Sequence, residues 1–271
     1  MPAFASIRLA ALLIAAGCIS APAPAMAQAA GAAPSSATGA EKSPAPAAGR
    51  PSVKQTGPDQ YEVGGIKFNG ATREISVPVV INYKQLPIEY MLVHETGKVH
   101  ESVLKTAINP SDLQVALLLC HYEPGTEGLA HPDAPKDLSP IKPLPLKTPG
   151  ANRMKIDVEW QQDGGTKRAP LSEWMLDVNT RKPPPDLDVW IFSGSFVDHD
   201  GFAAQAQGSF IAAYLDRAAM INSPAKGNWD DDLWISNPAK IPDEGTPVTL
   251  IISPAPPAKQ EPPSPNTKSK P

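Results

Sequence analysis

The sequence predicts an α+β domain: a mainly antiparallel β-sheet with one or two packed helices, between disordered termini rich in proline and alanine. Three observations support this prediction. Segments in which β-branched or aromatic residues alternate with polar ones recur from about residue 60 to residue 254. One apolar run of helical length follows a capping asparagine, Asn109. Both ends of the chain hold few large apolar side chains, so they bury too little surface to offset the entropy of ordering.

Residues 1–27 have the three parts of a secretory signal peptide. Arg8 supplies a positive charge, residues 9–19 are apolar, and Ala25-Met26-Ala27 has the small-x-small pattern of a cleavage site. The apolar run is shorter than the ~20 residues that cross a bilayer, which disfavours a transmembrane span. We therefore expect an exported protein, periplasmic or extracellular. The alternative is a lipid anchor at Cys18, because Ala-Ala-Gly-Cys resembles a bacterial lipoprotein box.

Composition divides the rest of the chain into three parts. Residues 28–58 are predicted to be a Pro/Ala-rich linker, 59–254 a single α+β domain, and 255–271 a Pro-rich disordered tail. The middle part is long enough to bury a core of its own. After signal cleavage Cys120 is the one remaining cysteine, so the core forms without an internal disulfide. We expect Cys120 to be a small buried apolar side chain rather than a reactive thiol.

The domain is predicted to begin with strands. Residues 61–68 alternate in polarity and contain two adjacent glycines, which indicates a bulge or a tight turn. Residues 74–81 place Ile and Val at every second position, so one face is apolar. Pro78 lies on the other face and favours an edge position or a bulge, because proline cannot donate a ladder hydrogen bond.

A hairpin and then a helix are expected next. Residues 88–93 and 99–104 are predicted to pair as a hairpin about Thr96-Gly97-Lys98. Asn109 is suited to cap a helix, and Pro110 is suited to its first position. Residues 113–120 are apolar nearly all round, so the helix should be buried on most sides.

Strand segments also dominate the second half of the predicted domain. A Pro-rich stretch, 131–149, comes first and is predicted to be a surface flap. Residues 171–177 are ambiguous between strand and helix. The other predicted strands are 154–160, 188–197, 202–215 and 246–252, the second and third of which pair around Asp198-His199-Asp200-Gly201.

The charge balance narrows the class of partner. The formal net charge is −4, and no stretch of the sequence collects lysine and arginine. Proteins that bind nucleic acid or anionic lipid normally present a basic patch. We therefore expect neither as the main partner.

The predicted hairpin concentrates titratable side chains, and its register decides which of them meet. A two-residue turn at Gly97-Lys98 places Glu95 opposite His100 and His94 opposite Glu101, as cross-strand charge pairs. A three-residue turn instead places His94 opposite His100, where the imidazoles could share a transition metal with a third ligand or respond to pH near neutrality. The predicted ligand-binding residues are His94, Glu95, His100, Glu101 and Ser102, and the predicted metal ligands are His94 and His100.

No complete catalytic motif accompanies this hairpin. Neither His-Glu pair continues as His-Glu-x-x-His, the zinc-binding motif of metalloproteases. The sequence also lacks the Gly-x-Ser-x-Gly motif, a Walker phosphate loop and a dinucleotide-binding fingerprint. The sequence therefore leaves it open whether the protein is an enzyme.

Two other polar motifs have simpler interpretations. Asp198-His199-Asp200-Gly201 is a fragment of a calcium loop without its third acidic position or its distal glutamate, so we favour a solvated hairpin turn. Three aspartates lie between Trp229 and Trp234. We favour a loop pinned by the tryptophans over a rim that stacks a polar ligand such as a sugar.

A family resemblance rests on six motifs. They are Thr72-Arg73, Pro87-Ile88-Glu89-Tyr90, Gly97-Lys98-Val99-His100-Glu101-Ser102, Asn109-Pro110 with the apolar run 113–119, Ser193-Gly194-Ser195, and Gly245-Thr246-Pro247-Val248. With these motifs the chain resembles the YdjY-type domain family of bacterial envelope proteins over roughly residues 61–254. The resemblance implies an exported domain. It implies no reaction and no catalytic residues.

We expect an exported envelope domain that serves as a non-catalytic binding or interaction module. Its partner would be another envelope protein or a cell-envelope component, with no cofactor. The alternative is a metal-binding or metal-assisted enzyme centred on His94 and His100, with Glu95 or Glu101 as a base or as an orienting partner. In a third interpretation the charge pairs of the hairpin only stabilise the sheet.

Overall fold

Most of the described chain forms strands. The computed structural model describes residues 51–85, 87–131, 133–134, 144–185 and 187–255. The predicted signal peptide, most of the linker, part of the 131–149 flap and nearly all of the tail lie outside these residues. The first strand begins at Val53, inside the range predicted as linker.

The strands in chain order are β1 (Val53–Gly57), β2 (Gln60–Val63), β3 (Ile66–Asn69), β4 (Ile75–Ile81), β5 (Tyr90–His94), β6 (Ser102–Thr106), β7 (Arg153–Gln162), β8 (Gly165–Pro170), β9 (Met175–Asp177), β10 (Trp190–Phe192), β11 (Val197–Asp198), β12 (Gly201–Phe202), β13 (Ser209–Ala212), β14 (Ile221–Asn222), β15 (Trp234–Ser236) and β16 (Pro247–Pro254). The helices among the described residues are α1 (Pro110–Leu119) and α2 (Ala203–Gln207), with 3-10 turns at Val99–Glu101 and Leu171–Trp174.

Eight strands close into a ring, and this closure corrects the predicted fold class. The ring order is β4, β16, β7, β10, β14, β13, β5 and β6, and β6 pairs back onto β4. The described domain is therefore a closed eight-stranded barrel with two short helices, not an α+β sheet covered by packed helices. Alternating polarity could not reveal the closure, because a strand with one buried face fits an open sheet and a barrel equally well.

The ring is antiparallel except at two places. Strands β13 and β14 pair in parallel, and so do β5 and β6. A meander of β1, β2 and β3 extends the sheet from β4, and β8 extends it from β7. The buried side chains of the ring strands, such as Val77, Leu92, Val158 and Leu250, belong to one large apolar core. The stability of the domain therefore rests on this burial, because Cys120, the cysteine within the described residues, is free.

The two predicted strands nearest the start of the domain are confirmed. The adjacent glycines Gly64 and Gly65 have positive φ angles, 56° and 87°, and join β2 to β3 in a tight hairpin. The alternating aliphatic residues of β4 are buried, as predicted.

Pro78 lies in the middle of β4, a strand that has partners on both sides, rather than at the predicted edge. On one side β4 pairs with β3 at Ser76 and with β6 from Val80 onward, so Pro78 falls in the gap between these partners. Its carbonyl oxygen accepts a hydrogen bond from Thr106 Oγ1 at 2.8 Å. Proline is tolerated because no partner strand needs its missing N–H at this point.

Helix α1 has the predicted start and a different end. Asn109 is its N-cap residue, although the Asn109 side chain makes no capping hydrogen bond, and Pro110 is its first residue. At the other end His121 adopts a left-handed conformation (φ 57°), and the Arg73 guanidinium donates to the carbonyl oxygens of Cys120 (2.7 Å) and His121 (3.1 Å). His121 thus takes the left-handed position that a glycine usually occupies at a helix end, and the Arg73 cation pairs with the last carbonyl oxygens. The prediction of burial on most sides was wrong at Leu118 and Leu119, which are nearly half exposed.

The cysteine of this helix is buried, as expected. Cys120 is fully buried. Desolvation raises the pKa of its thiol to about 11, and the positive charge of Arg73 opposes part of this rise. The thiol is therefore protonated at neutral pH and unreactive. Neither helix among the described residues has the length and apolar content that a bilayer crossing requires.

The second half departs from the predicted pairing. The ambiguous segment 171–177 is a 3-10 turn followed by β9. The predicted strand 202–215 is broken by α2, and β10 pairs with β7 and β14 instead of β13. The turn at 198–201 does form, between the two-residue strands β11 and β12.

Candidate ligand-binding groove and the crossover cluster

The segment between β5 and β6, residues 95–101, is a crossover and not the predicted hairpin turn. Strands β5 and β6 are parallel, with Tyr90 opposite Ser102 and His94 opposite Thr106. The chain therefore returns along the length of β5 within seven residues, partly as the 3-10 turn Val99–Glu101. Parallel neighbours usually need a connection of a dozen residues or more, so this crossover segment is unusually short.

Gly97 was interpreted as a turn residue, but in the structure it serves close backbone packing. It is not one of the glycines with a positive φ angle. A Cβ added to Gly97 would instead lie 3.0 Å from the carbonyl oxygen of Gln207 and 3.4 Å from the Cα of Gly208. Gly208, which ends α2, would place a Cβ 2.9 Å from His94 Cβ. The glycine at 97 thus allows two backbones to touch, and a sequence alone does not distinguish this use from a turn.

The crossover separates the two predicted metal ligands. His94 lies at the end of β5, where its Nδ1 is 2.7 Å from Thr96 Oγ1. His100 precedes the start of β6, its side chain is 73% exposed, and its Nε2 is 3.0 Å from Glu101 Oε1. The facing arrangement of His94 and His100 in a hairpin, on which the metal prediction depended, is therefore wrong.

The other predicted pairs are also not formed. The exposed Glu95 donates its backbone N–H to Thr106, and no cross-strand ladder joins Glu95 to His100 or His94 to Glu101. Ser102 is buried, and its hydroxyl donates to the carbonyl oxygen of Leu104 at 2.8 Å. Of the five predicted residues, only the sequence neighbours His100 and Glu101 contact each other through their side chains.

A different set of side chains meets at the crossover. Lys98 Nζ donates to Tyr90 Oη at 2.7 Å, and Tyr90 Oη donates to Asp216 Oδ2 at 3.0 Å. Tyr214 Oη lies 3.2 Å from the same hydroxyl, and the two rings pack edge to face. Burial raises the pKa of Tyr90, and it raises the pKa of Tyr214 to about 12. Both hydroxyls therefore stay protonated and act as hydrogen-bonding groups at neutral pH.

Two glutamates complete this crossover cluster, which comprises Glu89, Tyr90, Lys98, Glu101, Tyr214 and Asp216. Glu89 is half-buried, and its side chain is hydrogen-bonded to that of Glu101. Burial is the largest cause that raises the pKa of Glu89, and repulsion from Glu101 adds to it, while Lys98 opposes both. When two carboxyl groups are this close, the charge of one opposes ionisation of the other. The pair therefore keeps a proton to a higher pH than an isolated carboxyl does.

The donors and acceptors of the crossover cluster are mostly paired with one another. Lys98 binds the tyrosine hydroxyl, the hydroxyl binds Asp216, and Asp216 also accepts from the backbone N–H of Ala218 at 2.8 Å. Of the six residues of this cluster only Glu101 was predicted as a site residue, and no site role was predicted for Glu89, Tyr90, Lys98, Tyr214 or Asp216. The network can anchor the short crossover to the barrel wall without any ligand.

A groove lies on the other side of the loop 228–234, and it contains the tryptophan motif of the sequence. Its volume is about 740 Å³, within the range of roughly 300–1,000 Å³ typical of ligand sites. We call it the Trp–Pro groove. Its lining residues are His131, Asp177, Thr180, Lys182, Pro183, Pro184, Pro185, Leu187, Pro224, Ala225, Lys226, Gly227, Trp229, Asp230, Leu233 and Trp234.

Flat rings form much of the groove wall. Trp229 is half-buried and packs against the His131 ring with centroids 5.4 Å apart. The loop carrying Trp229 is fixed from behind, because Leu215 and Ile88 donate backbone hydrogen bonds to the carbonyl oxygens of Asn228 and Trp234. The three consecutive prolines 183–185 contribute a second row of rings.

The two lining carboxylates each accept backbone hydrogen bonds through one oxygen. Asp177 Oδ1 accepts from the N–H groups of Asn179 and Thr180, at 2.7 and 2.8 Å. Asp230 Oδ1 accepts from the N–H of Asp232 at 3.0 Å. These bonds fix the orientation of the two carboxylates at the groove.

The groove lining also contains two lysines and a second tryptophan. The indole N–H of Trp234 is buried and has no acceptor among the described residues. Lys182 is exposed at the rim, and Lys226 Nζ lies 2.8 Å from Asp133 Oδ2. That lysine lowers the pKa of Asp133 below its usual value. A ligand that offers compact apolar rings and a few polar groups would match this surface.

A second groove of similar volume lies elsewhere on the barrel. It is lined mainly by strand residues of β4, β7 and β16 together with Gly64, Thr106, Ala107 and Ile108. Trp160 is the one aromatic residue in this lining, and the Trp160 indole N–H already donates to Gln162 Oε1 at 3.0 Å. The Trp–Pro groove is therefore the stronger candidate for ligand binding.

The remaining polar motif is a turn. Asp198, His199 and Asp200 form an exposed group whose potential ligand atoms are close together. Asp198 Oδ1 accepts from the backbone N–H of Asp200, and His199 Nε2 lies 3.1 Å from Asp200 Oδ2. These local contacts are those of the hairpin turn between β11 and β12.

Comparison with known proteins identifies the family of this domain. Searches of the curated proteins and of the solved structures found no match. The family model described as the YdjY domain matches residues 66–253, well over half of the chain. The match begins at the first residue of β3 and ends within β16, so it contains the whole barrel ring. The chain belongs to the YdjY domain family.

Proposed function

We propose that this protein is exported and that its YdjY domain is a non-catalytic binding module whose ligand occupies the Trp–Pro groove. Export is supported by the three-part signal pattern of residues 1–27. The binding role is carried by one observation: a groove of about 740 Å³ walled by tryptophan and proline rings. The partner we propose is an extended, proline-rich segment of another exported protein.

The row of three proline rings in the lining favours this ligand. A sugar would also stack on Trp229 and donate to the exposed carboxylate of Asp230, so a sugar is the competing ligand to test. A polyproline II segment presents rings and carbonyl acceptors and has few N–H groups. Aromatic grooves bind such segments because the helix is already ordered before binding.

The non-catalytic role is supported by the arrangement of the titratable groups. The carboxyls, lysine and tyrosines of the crossover cluster bind one another. The histidines predicted as metal ligands lie at different ends of β5 and contact Thr96 and Glu101.

A two-probe titration tests the proposal. We would titrate the full chain with a decaproline peptide and, separately, with a tetramer of N-acetylglucosamine, and record heat and tryptophan fluorescence. Saturable binding of decaproline that is lost in Trp229→Ala and kept in Trp160→Ala is the expected result. Binding of the sugar alone would overturn the proline-rich partner, and binding of neither probe at millimolar concentration would overturn the groove as a binding site.

The route of export has its own measurement. Mass spectrometry of protein purified from the envelope of a producing bacterium would show a mature chain that begins at Gln28. A chain that begins with a lipid-modified Cys18 would establish the lipid-anchored alternative. A chain that keeps residues 1–27 in the cytoplasm would overturn export.

A further inference from the structure

We infer that the chain's own C-terminal segment, residues 256–271, is an internal ligand of the Trp–Pro groove and competes there with external proline-rich partners. The inference rests on the proposed function of the groove and names a second occupant for it. It is argued from the exit point of the segment, its length, its composition and the charge of the groove.

The last strand leaves the barrel close to the groove. Pro254 pairs with Met154, and Met154 pairs in turn with Trp190. The next strand, β14, ends at Asn222, two residues before the lining residue Pro224. Three strand spacings of ~4.8 Å thus separate the exit from this groove wall, a distance of roughly 15 Å.

The segment is long enough to reach and cross the groove. Residues 256–271 follow the last described residue, Ala255. At ~3.1 Å per residue in a polyproline II helix, sixteen residues span roughly 50 Å. The chain can therefore turn back from the end of β16 and still lay several residues along the groove.

The composition of the segment matches the lining. Pro256-Pro257 and Pro262-Pro263 form two proline pairs, and Pro265 follows the second. Such residues present apolar rings to Trp229 and to the three lining prolines, and proline adds no N–H that would need an acceptor. The preset φ angle of proline also lowers the entropy lost on docking.

Charge adds to the match. The segment carries Lys259, Lys268 and Lys270 against a single acidic side chain, Glu261. The loop at the groove carries Asp230, Asp231 and Asp232 in a row, all exposed. Of the two lysines in the lining, Lys226 is paired with Asp133, and Lys182 opposes this attraction. Opposite charges at the rim favour the encounter and become less effective as salt rises.

A tail-proline variant tests this inference in the full chain. We would replace Pro256, Pro257, Pro262, Pro263 and Pro265 by serine, and compare the indole N–H signals of the five tryptophans by NMR. Signals of Trp229 and Trp234 that shift, while that of Trp160 stays, are expected. A control variant with Pro34→Ser, Pro44→Ser and Pro46→Ser should leave all five signals in place.

Dilution identifies which tail is bound. Shifts that are the same at 20 and 400 μM protein support docking within one chain. Shifts that appear only at the higher concentration would assign the site to the tail of a second copy and overturn the internal ligand. Identical spectra of the parent and the tail-proline variant would overturn it as well.

Competition separates this inference from the proposed function. A linked segment has an effective concentration on the order of 1 mM, so removal of a competitor whose own Kd is about 100 μM strengthens decaproline binding roughly tenfold. We therefore expect a tenfold lower Kd for decaproline in the tail-proline variant. An equal Kd in both proteins would overturn the internal ligand and leave the proposed function intact, whereas no binding to either protein would overturn both.

Discussion

The crossover cluster and the Trp–Pro groove lie on two sides of the same loop, 228–234, and use their polar groups in opposite ways. In the cluster, Lys98, Tyr90 and Asp216 bind one another in sequence. In the groove, the indole N–H of Trp234 has no acceptor among the described residues, and about 740 Å³ is open beside it. The loop itself carries Asp231, whose charge helps to raise the pKa of Glu89, and Asp230, which lines the groove.

This difference shows which kind of polar site is built to hold a ligand. A network whose donors and acceptors are paired gains little from a ligand, because the ligand would have to replace existing hydrogen bonds. A surface of apolar rings gains buried apolar area when a ligand covers it. We therefore assign stability to the crossover cluster and binding to the groove, although the cluster holds more titratable groups.

The largest expected effect is on binding, from Trp229→Ala. Half-buried aromatic residues at the centre of a contact surface commonly contribute 2 kcal/mol or more. We expect the Kd for decaproline to rise about 30-fold, which corresponds to ~2 kcal/mol. The midpoint of urea unfolding should change little, because Trp229 is outside the buried core. Calorimetric titration and urea unfolding monitored by circular dichroism measure the two quantities.

Trp160→Ala is the matched control for this change. Trp160 is also half-buried, but it lines the second groove and packs against Trp174 at 5.6 Å. We expect it to lower stability and to leave decaproline binding unchanged. Equal losses of binding in the two variants would remove the distinction between the grooves.

The next largest effect is on stability, from Tyr90→Phe. The change removes the hydroxyl that joins Lys98 to Asp216 and leaves both charged groups without that partner. We expect a loss of about 1–3 kcal/mol in the free energy of unfolding, the usual cost of a broken buried hydrogen bond. Tyr214→Phe, which removes only the hydroxyl at 3.2 Å, should cost less. Urea unfolding compares the two variants, and decaproline binding should be normal in both.

Local patterns in the sequence predicted several elements, because the cause of each is local. The N-cap and first residue of α1, the paired glycines after β2 and the buried face of β4 follow from residues a few positions apart. Barrel closure depends on β6 pairing with β4 more than twenty residues earlier and on the order of eight strands. No periodicity records such long-range pairing, so the predicted open sheet was wrong.

The candidate sites show the same division. The motif from Trp229 to Trp234 was visible in the sequence, whereas its opposite wall, Pro183 to Pro185, comes from a distant loop. The crossover was misread because Gly97 serves close backbone contact with Gly208 rather than a turn. Once β5 and β6 are parallel, Glu101 meets Glu89 and not His94. The sequence revealed the site residues that lie together in one loop. It did not reveal those that the order of the strands brings together.

A smaller effect, dependent on pH, is expected from Glu89→Gln. The pKa of Glu89 is raised above 4.5 by burial and by Glu101. A carboxyl with a raised folded-state pKa favours folding fully below the unfolded pKa, and this contribution is lost as pH rises through the folded pKa. Glutamine does not titrate, so the free energy of unfolding of the variant should rise relative to that of the parent protein between pH 4.5 and 7. We expect a gain below about 1 kcal/mol, because the group is only half-buried.

Unfolding curves at a series of pH values measure this gain. Glu244→Gln, at an exposed glutamate in the loop before β16, is the control and should show a flat difference from the parent. A gain that is equally large at pH 4 and pH 7 would argue that packing, rather than charge, limits the stability of the carboxyl pair. Electrostatic interactions would then contribute less to the stability of the crossover cluster than we propose.

The smallest effect is expected from His100→Ala. The imidazole is 73% exposed, and its contact is with the adjacent Glu101. Exposed ion pairs contribute little, so the free energy of unfolding should change by less than about 0.5 kcal/mol. His199→Ala is the matched control, because His199 is 86% exposed and contacts its own neighbour Asp200 at 3.1 Å. Both variants should bind decaproline normally, and zinc should change the melting temperature of parent and variants equally. A zinc-dependent stabilisation that is lost in His100→Ala and kept in His199→Ala would instead show that the crossover binds a ligand. The distinction between a cluster whose groups bind one another and a groove open to a ligand would then fail.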